Sequence, residues 1–150
     1  MDDSEDGRRS ASAEIWRQRR RCRARLVTAR TILVADDEAD VRSLILALLE
    51  DEGYRVVVAA NGRAAIEVVE RRRPDLILMD IMMPTMDGRE ATRRLRARPE
   101  SASIPIVLMS AVTNESPQPG VQAFVAKPFD LDDLLATIDR LLDESPAAGC

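Results

Sequence analysis

Five residues carry groups suited to binding a cation and a phosphoryl group: Asp36, Asp37, Asp80, Ser110 and Lys127. Three carboxylates brought together repel one another unless a cation stands between them. Oxygen ligands without sulfur or imidazole select a hard ion, and Mg²⁺ (or Mn²⁺) takes one or two carboxylates while leaving a position for a phosphoryl oxygen. The chain has no histidine, which excludes histidine-based catalysis and disfavours a transition-metal site. Lys127 is the only lysine beside 21 arginines. Its ammonium is a compact charge on a flexible stem, able to reach a carboxylate or phosphoryl oxygen where a planar guanidinium would not fit. Taken singly, each residue says little, because an aspartate after a strand is most often a helix cap.

The surrounding pattern gives them a common location. From Thr31 onward, short apolar runs alternate with helical periodicity, the signature of βαβ units around a parallel sheet. Strands are expected at 31–35, 55–60, 75–79, 104–110 and 122–126. Between them, Val41, Leu44, Ile45, Leu48 and Leu49 recur at helical spacing up to Gly53. Asn61 is a cap for a second helix, which ends in arginines before Pro74. Asp87 and Glu90 suggest a capping box for a third helix through about Arg96. A last helix from Asp130 carries Leu131, Leu134, Leu135, Ile138, Leu141 and Leu142 on one face. Such a doubly wound sheet binds ligands at the carboxyl ends of its strands. Asp36 and Asp37 follow the first strand, Asp80 the third, Ser110 the fourth and Lys127 the fifth, so all five converge on one edge.

The remainder of the composition is that of a soluble globular chain: 150 residues, 45% apolar and 32% charged. No apolar run approaches the roughly 20 residues of a membrane span, and no secretory signal is expected. Cys22 and Cys150 lie far apart and form no ligand pattern, so a reducing cytoplasm is the expected compartment. The net charge of −4 is unevenly spread: residues 1–30 hold nine arginines against five carboxylates, an arm of about +4 on a body of about −8. The organisation expected is an Arg-rich arm over 1–30, one domain over 31–143 and a tail over 144–150.

Four stretches in order, "VADDE" (34–38), "LMDIMMPTMDG" (78–88), "LMSA" (108–111) and "FVAKPF" (124–129), resemble the receiver domain of bacterial response regulators. The resemblance runs from about Thr31 to Leu142. It implies a flavodoxin-like five-stranded parallel sheet of order 2-1-3-4-5. It matches Asp80 to the phosphoacceptor, and Asp36, Asp37, Asp80 and the backbone carbonyl of Met82 to the Mg²⁺ ligands. Ser110 and Phe124 match the switch hydroxyl and aromatic, Lys127 the site lysine, and Pro128 a cis peptide bond. The implied partners are a sensor histidine kinase or histidine phosphotransfer protein, together with a downstream protein. The domain would assist its own phosphorylation and dephosphorylation without being a conventional enzyme.

The chain departs from that family between Ser110 and Phe124, where only 13 residues, "AVTNESPQPGVQA", make the crossover. Two prolines and a glycine there predict a fourth helix that is short or absent, with residues 112–121 a loop or a single turn. Loss of cover over strands four and five then predicts exposure among Ile106, Val107, Leu108, Phe124 and Val125, a face open to self-association. The leading reading is a phosphorylatable, stand-alone signalling module. The rival readings are a receiver-switched nucleic-acid binder using the Arg-rich arm, an aspartyl-phosphate phosphatase and an inert pseudo-receiver. Met82 weighs against the phosphatase, because it occupies the position of a second acid–base carboxylate.

Overall fold

The computed structural model describes residues 30–111 and 118–144. The expected arm and tail therefore lie almost wholly outside the described residues, as do residues 112–117 of the crossover. Five parallel strands form one sheet: β1 (Thr31–Ala35), β2 (Arg55–Ala59), β3 (Leu76–Asp80), β4 (Ile106–Ser110) and β5 (Ala123–Ala126), in the order β2-β1-β3-β4-β5. Four helices flank it among the described residues: α1 (Ala39–Asp51), α2 (Gly62–Arg72), α3 (Gly88–Arg96) and α4 (Leu131–Asp143). The sheet order matches the flavodoxin-like arrangement that the resemblance implies.

Alternation along the strands separates two cores. Ile32, Val34, Leu76, Leu78, Val107 and Met109 pack with Ile45 and Leu49 of α1 and with the apolar face of α4. Leu33, Ile77, Met79, Ile106 and Leu108 pack with Ala65, Ile66 and Val69 of α2 and with Ala91 and Leu95 of α3. β1, β3 and β4 are apolar on both faces because both faces are covered, as a parallel sheet requires.

The helix starts follow local chemistry. Asn61 accepts a hydrogen bond from Ala64 N at 2.8 Å, and Asp87 from Glu90 N at 2.8 Å. Asp130 accepts from Asp132 N at 2.8 Å and Asp133 N at 3.2 Å. Each side-chain oxygen satisfies backbone donors that a helix start leaves unpaired. The carboxylate of Glu90 pairs with Arg93 and Arg94, so the capping at Asp87 is carried by the aspartate.

The expected exposure over β4 does not occur. Ile106, Val107 and Leu108 are completely buried, Val125 is half-buried, and only Phe124 is exposed, at 39%. The reason is that Ile106 and Leu108 sit under α3, with Ile104 and the half-buried Val121 completing the cover. The described end of the crossover, residues 118–121, contains no helix. It is tied down by Arg96, which donates to Gly120 O at 2.7 Å and Gln122 Oε1 at 2.9 Å and is itself held by Ser101 O at 3.0 Å and Ala102 O at 3.1 Å in the loop before β4. Gly120 has φ +87°, and a Cβ there would stand 2.8 Å from Cγ of Arg96. Glycine thus serves both the turn and the close passage of the arginine.

Candidate functional site

Backbone hydrogen bonds fix the loops at the carboxyl edge of the sheet. Asp36 N donates to Ala59 O at 3.1 Å, Ile81 N to Met109 O at 2.9 Å and Lys127 N to Ser110 O at 2.7 Å. Each bond carries the sheet's pairing one residue past a strand end, where the site residues stand. The loop after β3 folds back so that Gly88 N donates to Ile81 O at 2.8 Å. A Cβ at Gly88 would fall well inside contact distance of the Asp80 carbonyl oxygen. The glycine that opens α3 therefore lets the helix start directly against the strand end carrying Asp80.

Lys127 draws the site together. Its Nζ lies 2.7 Å from Asp36 Oδ2 and 3.1 Å from Asp80 Oδ2. Asp36 is fully buried and Asp80 is 5% exposed, so both interactions are shielded from solvent. The remaining oxygen of Asp36 accepts from Glu38 N at 2.9 Å, and Asp80 Oδ1 from Met82 N at 3.3 Å. Arg42 donates to Asp36 O at 2.6 Å, bracing the same turn from α1. The Lys127–Pro128 peptide bond is cis.

Electrostatics at the site oppose one another. Burial pushes the Asp80 carboxyl above the usual carboxylate range, and the charge of Asp36 adds to the rise. The hydrogen bonds from Lys127 and Met82 only partly offset it. Burial pulls the Lys127 ammonium down, but hydrogen bonds to Asp36 and Asp80 and the attraction of both charges outweigh burial and raise it. The arrangement is one cation serving two carboxylates, with a third, Asp37, exposed beside them.

The donor set fits a hard divalent ion. Ligand oxygens of Asp36, Asp37 and Glu38 lie within 4.8 Å of one another, and all are carboxylates. Glu38 is a member that the sequence reading does not include; its place two residues past Asp36, on the exposed side of the turn, is the signal that was there to use. Asp80 joins the group through Lys127 and Asp36. Met82 is 65% exposed, and what it contributes to the site is its backbone N–H on Asp80. Ser110 is buried as the last residue of β4, next to Ala126 in the β4–β5 register. Phe124 stands on β5 beside Leu108, with the Arg89 guanidinium carbon 5.7 Å from its ring centre.

Such a sheet, with acidic residues at the ends of β1 and β3 and a lysine after β5, defines a doubly wound protein with an acidic strand-end site. Residues 32–139 match the family described as the response regulator receiver domain, and the chain belongs to that family. It is 35% identical over 116 residues to sporulation initiation phosphotransferase F of Bacillus subtilis, covering 74% of this chain and 92% of that protein. It is 37% identical over 125 residues to response regulator Rre1 of Synechocystis, but there it spans only 54% of the relative's length. Among solved structures it is similar to the receiver domain of a sensor histidine kinase from Pseudomonas aeruginosa PAO1, which has magnesium coordinated in its active-site cleft. That likeness has a TM-score of 0.73 at 33% identity, covering 77% of this chain and 99% of that one. The chain is therefore a receiver domain of two-component signalling, and no helix among the described residues is long and apolar enough to cross a membrane.

Proposed function

We propose that the domain accepts a phosphoryl group on Asp80 from a phosphohistidine of a sensor kinase or phosphotransfer protein, and signals through a surface that responds to it. The observation that carries this reading is the position of Asp80. It is buried at the end of β3 and held 3.1 Å from the one lysine, which also grips Asp36. Asp36, Asp37, Asp80 and the Met82 carbonyl oxygen would hold Mg²⁺ (or Mn²⁺). When bound, the ion supplies charge neutralisation for the phosphoryl oxygens.

The chain's own residues perform the rest. The Asp80 carboxylate attacks phosphorus in line, the bond to the histidine nitrogen breaks, and that nitrogen leaves with the electron pair. Lys127 is already placed between Asp36 and Asp80, so it meets the charge on a phosphoryl oxygen at Asp80 with little rearrangement. Ser110, buried at the end of β4, then donates to a phosphoryl oxygen, and Phe124 on the half-covered edge strand shifts inward. Attack by water on the aspartyl phosphate resets the domain. It thus assists its own phosphorylation and dephosphorylation without turning over a separate substrate, and it works in the cytoplasm.

Intact mass after incubation with acetyl phosphate and Mg²⁺ tests this reading. The wild-type chain gains one phosphoryl group, and Asp80→Asn gains none. A phosphoryl gain in Asp80→Asn of the same extent would sink the assignment.

A further inference from the structure

The C-terminal end of a helix carries the negative end of its dipole, which favours cations and disfavours carboxylates. Three helices follow this: the last turn of α2 holds Arg71 and Arg72, that of α3 holds Arg93, Arg94 and Arg96, and that of α4 holds Arg140. α1 does the reverse. Its last turn has no basic residue, and the chain there reads Glu50, Asp51, Glu52.

α4 adds charge of the same sign nearby. Leu141 and Leu142, at its C-terminal end, belong to the same core as Ile32, Leu49 and Tyr54, and both helices run back along the parallel sheet, so the C-terminal ends of α1 and α4 lie on one face at its amino edge. Asp139, Asp143 and Glu144 come with them; Arg140 pairs with Glu144 at 3.8 Å and Arg55 opens β2 at the same edge, so carboxylates outnumber cations there among the described residues. Asp139 is buried there, and Glu50, Asp51, Asp143 and Glu144 are exposed. An acidic edge of this kind is costly unless positive charge lies over it.

The chain enters the fold at this edge. Arg30 precedes β1, its carbonyl accepts from Arg55 N at 2.9 Å, and Tyr54 N donates to Leu49 O at 3.1 Å. Arg30 is itself only 8% exposed, and its Nη2 makes no hydrogen bond among the described residues. A buried guanidinium nitrogen in that condition needs a partner or water. The preceding 29 residues contain eight arginines and five carboxylates, with six of the arginines between Arg17 and Arg25. From Arg25 to Arg30 the chain spans at most about 18 Å. The arginine cluster is thus tethered close to the acidic edge, at an effective concentration that a free partner does not reach.

We propose that segment 13–29 docks on this edge in the same chain, its arginines matched to Glu50 and Asp51 at the end of α1. Ile15, Trp16, Leu26 and Val27 supply apolar area to the contact. The segment acts as a salt-sensitive brace across the ends of α1 and α4. Asp80 lies at the opposite edge of the sheet, so docking leaves the phosphoacceptor open.

A nitroxide on Cys22 of the full-length chain, with Cys150→Ser, reads the docking through amide NMR. At about 0.05 M salt, the amides of residues 48–54 and 139–144 lose intensity; at about 0.5 M salt, where the Debye length falls to a few ångströms, they regain it. The exposed pair Glu50→Gln with Asp51→Asn, made in the same chain, regains intensity at low salt. No loss at that edge, or loss centred on β4 and β5, overturns the proposal. So does loss that appears only when a spin-labelled, isotopically silent copy is mixed with an unlabelled ¹⁵N copy, because the occupant is then a second molecule.

Discussion

β3 and β5 both deliver a residue to the site, yet they are built differently. β3 runs between β1 and β4, and all five of its residues are buried. β5 has four residues, one neighbouring strand, and a pattern of half-buried and exposed positions. Asp80 ends the first and Lys127 follows the second. A nucleophile benefits from a fixed geometry, since small misplacements cost rate. A group that reports on the nucleophile's state must be able to move, and such groups come from the less tightly packed parts of a fold. The central strand supplies the first requirement and the edge strand the second.

The largest break in that comparison comes from β3. Asp80→Asn is expected to abolish phosphoryl gain completely, and excess chelator is expected to do the same to the wild-type chain. The substitution should also raise the thermal midpoint in metal-free solution at neutral pH. Burial disfavours the charged carboxyl, so its pKa is raised in the folded chain and the folded state binds more protons than the unfolded one. Stability on this account falls as pH rises through the raised value, and a neutral isostere removes the fall. Differential scanning fluorimetry across pH checks it; a lower midpoint for Asp80→Asn at neutral pH would contradict the sign.

A smaller break comes from the lysine beyond β5. Lys127→Arg keeps the charge but replaces a compact ammonium with a planar fork, in a gap bounded by Asp36 at 2.7 Å and Asp80 at 3.1 Å. Phosphorylation by acetyl phosphate should slow by about 10²-fold, the scale of losing one well-placed electrostatic group. The far-ultraviolet circular dichroism should be unchanged. Wild-type rates in this variant would show that charge alone suffices at this position.

Both halves of the site were legible in the sequence because strand ends are marked locally. An apolar run followed by an acid, a serine or a lysine fixes where the side chain falls, and parallel topology does the rest. Strand limits moved by a residue or two: Asp80 is the final residue of β3, one past the expected limit, and β4 starts at Ile106 rather than at 104. The support of β5 was not legible. Arg96 reaches Gly120 and Gln122, 24 and 26 residues away, and nothing in an arginine's neighbours announces which carbonyls it will find. For the same reason the burial of Ile106 and Leu108 was missed, because their cover comes from α3 and Ile104, while Val107 is covered on the other face by the core of α1 and α4. Counting prolines in the crossover could not reveal it.

That clamp gives a third test, smaller again. Arg96→Ala removes two hydrogen bonds from a charged donor to the strap leading into β5 and two more to the carbonyls of Ser101 and Ala102 ahead of β4. The loss is about 2 kcal/mol, the scale of a charged donor's hydrogen bonds. Urea denaturation reads the stability, and hydrogen exchange should show β5 opening more often while β3 stays protected. Equal loss of protection in both strands would mean that the edge is not a separately responsive part of the sheet.

The smallest expected effect concerns Arg89. Its Nη1 donates to Gln118 Oε1 at 3.1 Å, Gln118 Nε2 donates back to Arg89 O at 3.0 Å, and its guanidinium lies 5.7 Å from the Phe124 ring centre. These contacts sit in a partly exposed place, where a cation over a ring is worth about 0.5 to 1 kcal/mol. Arg89→Ala should therefore cost less stability than Arg96→Ala. Its consequence lies in what it releases. The guanidinium stands over the ring, so the contact favours the ring where it is, 39% exposed. Without it, the ring is held outward less firmly, and an inward position becomes more populated before any phosphoryl group arrives. Aromatic side-chain NMR of the unphosphorylated variant should show the Phe124 signals shifted part of the way towards their phosphorylated positions. Arg89→Lys keeps the charge but loses the planar stacking and the bond to Gln118, and should fall between the two. Phe124 signals unchanged in Arg89→Ala would show that β4 and α3 fix the edge strand as firmly as the centre, and the contrast between the two strands would then fail for the aromatic.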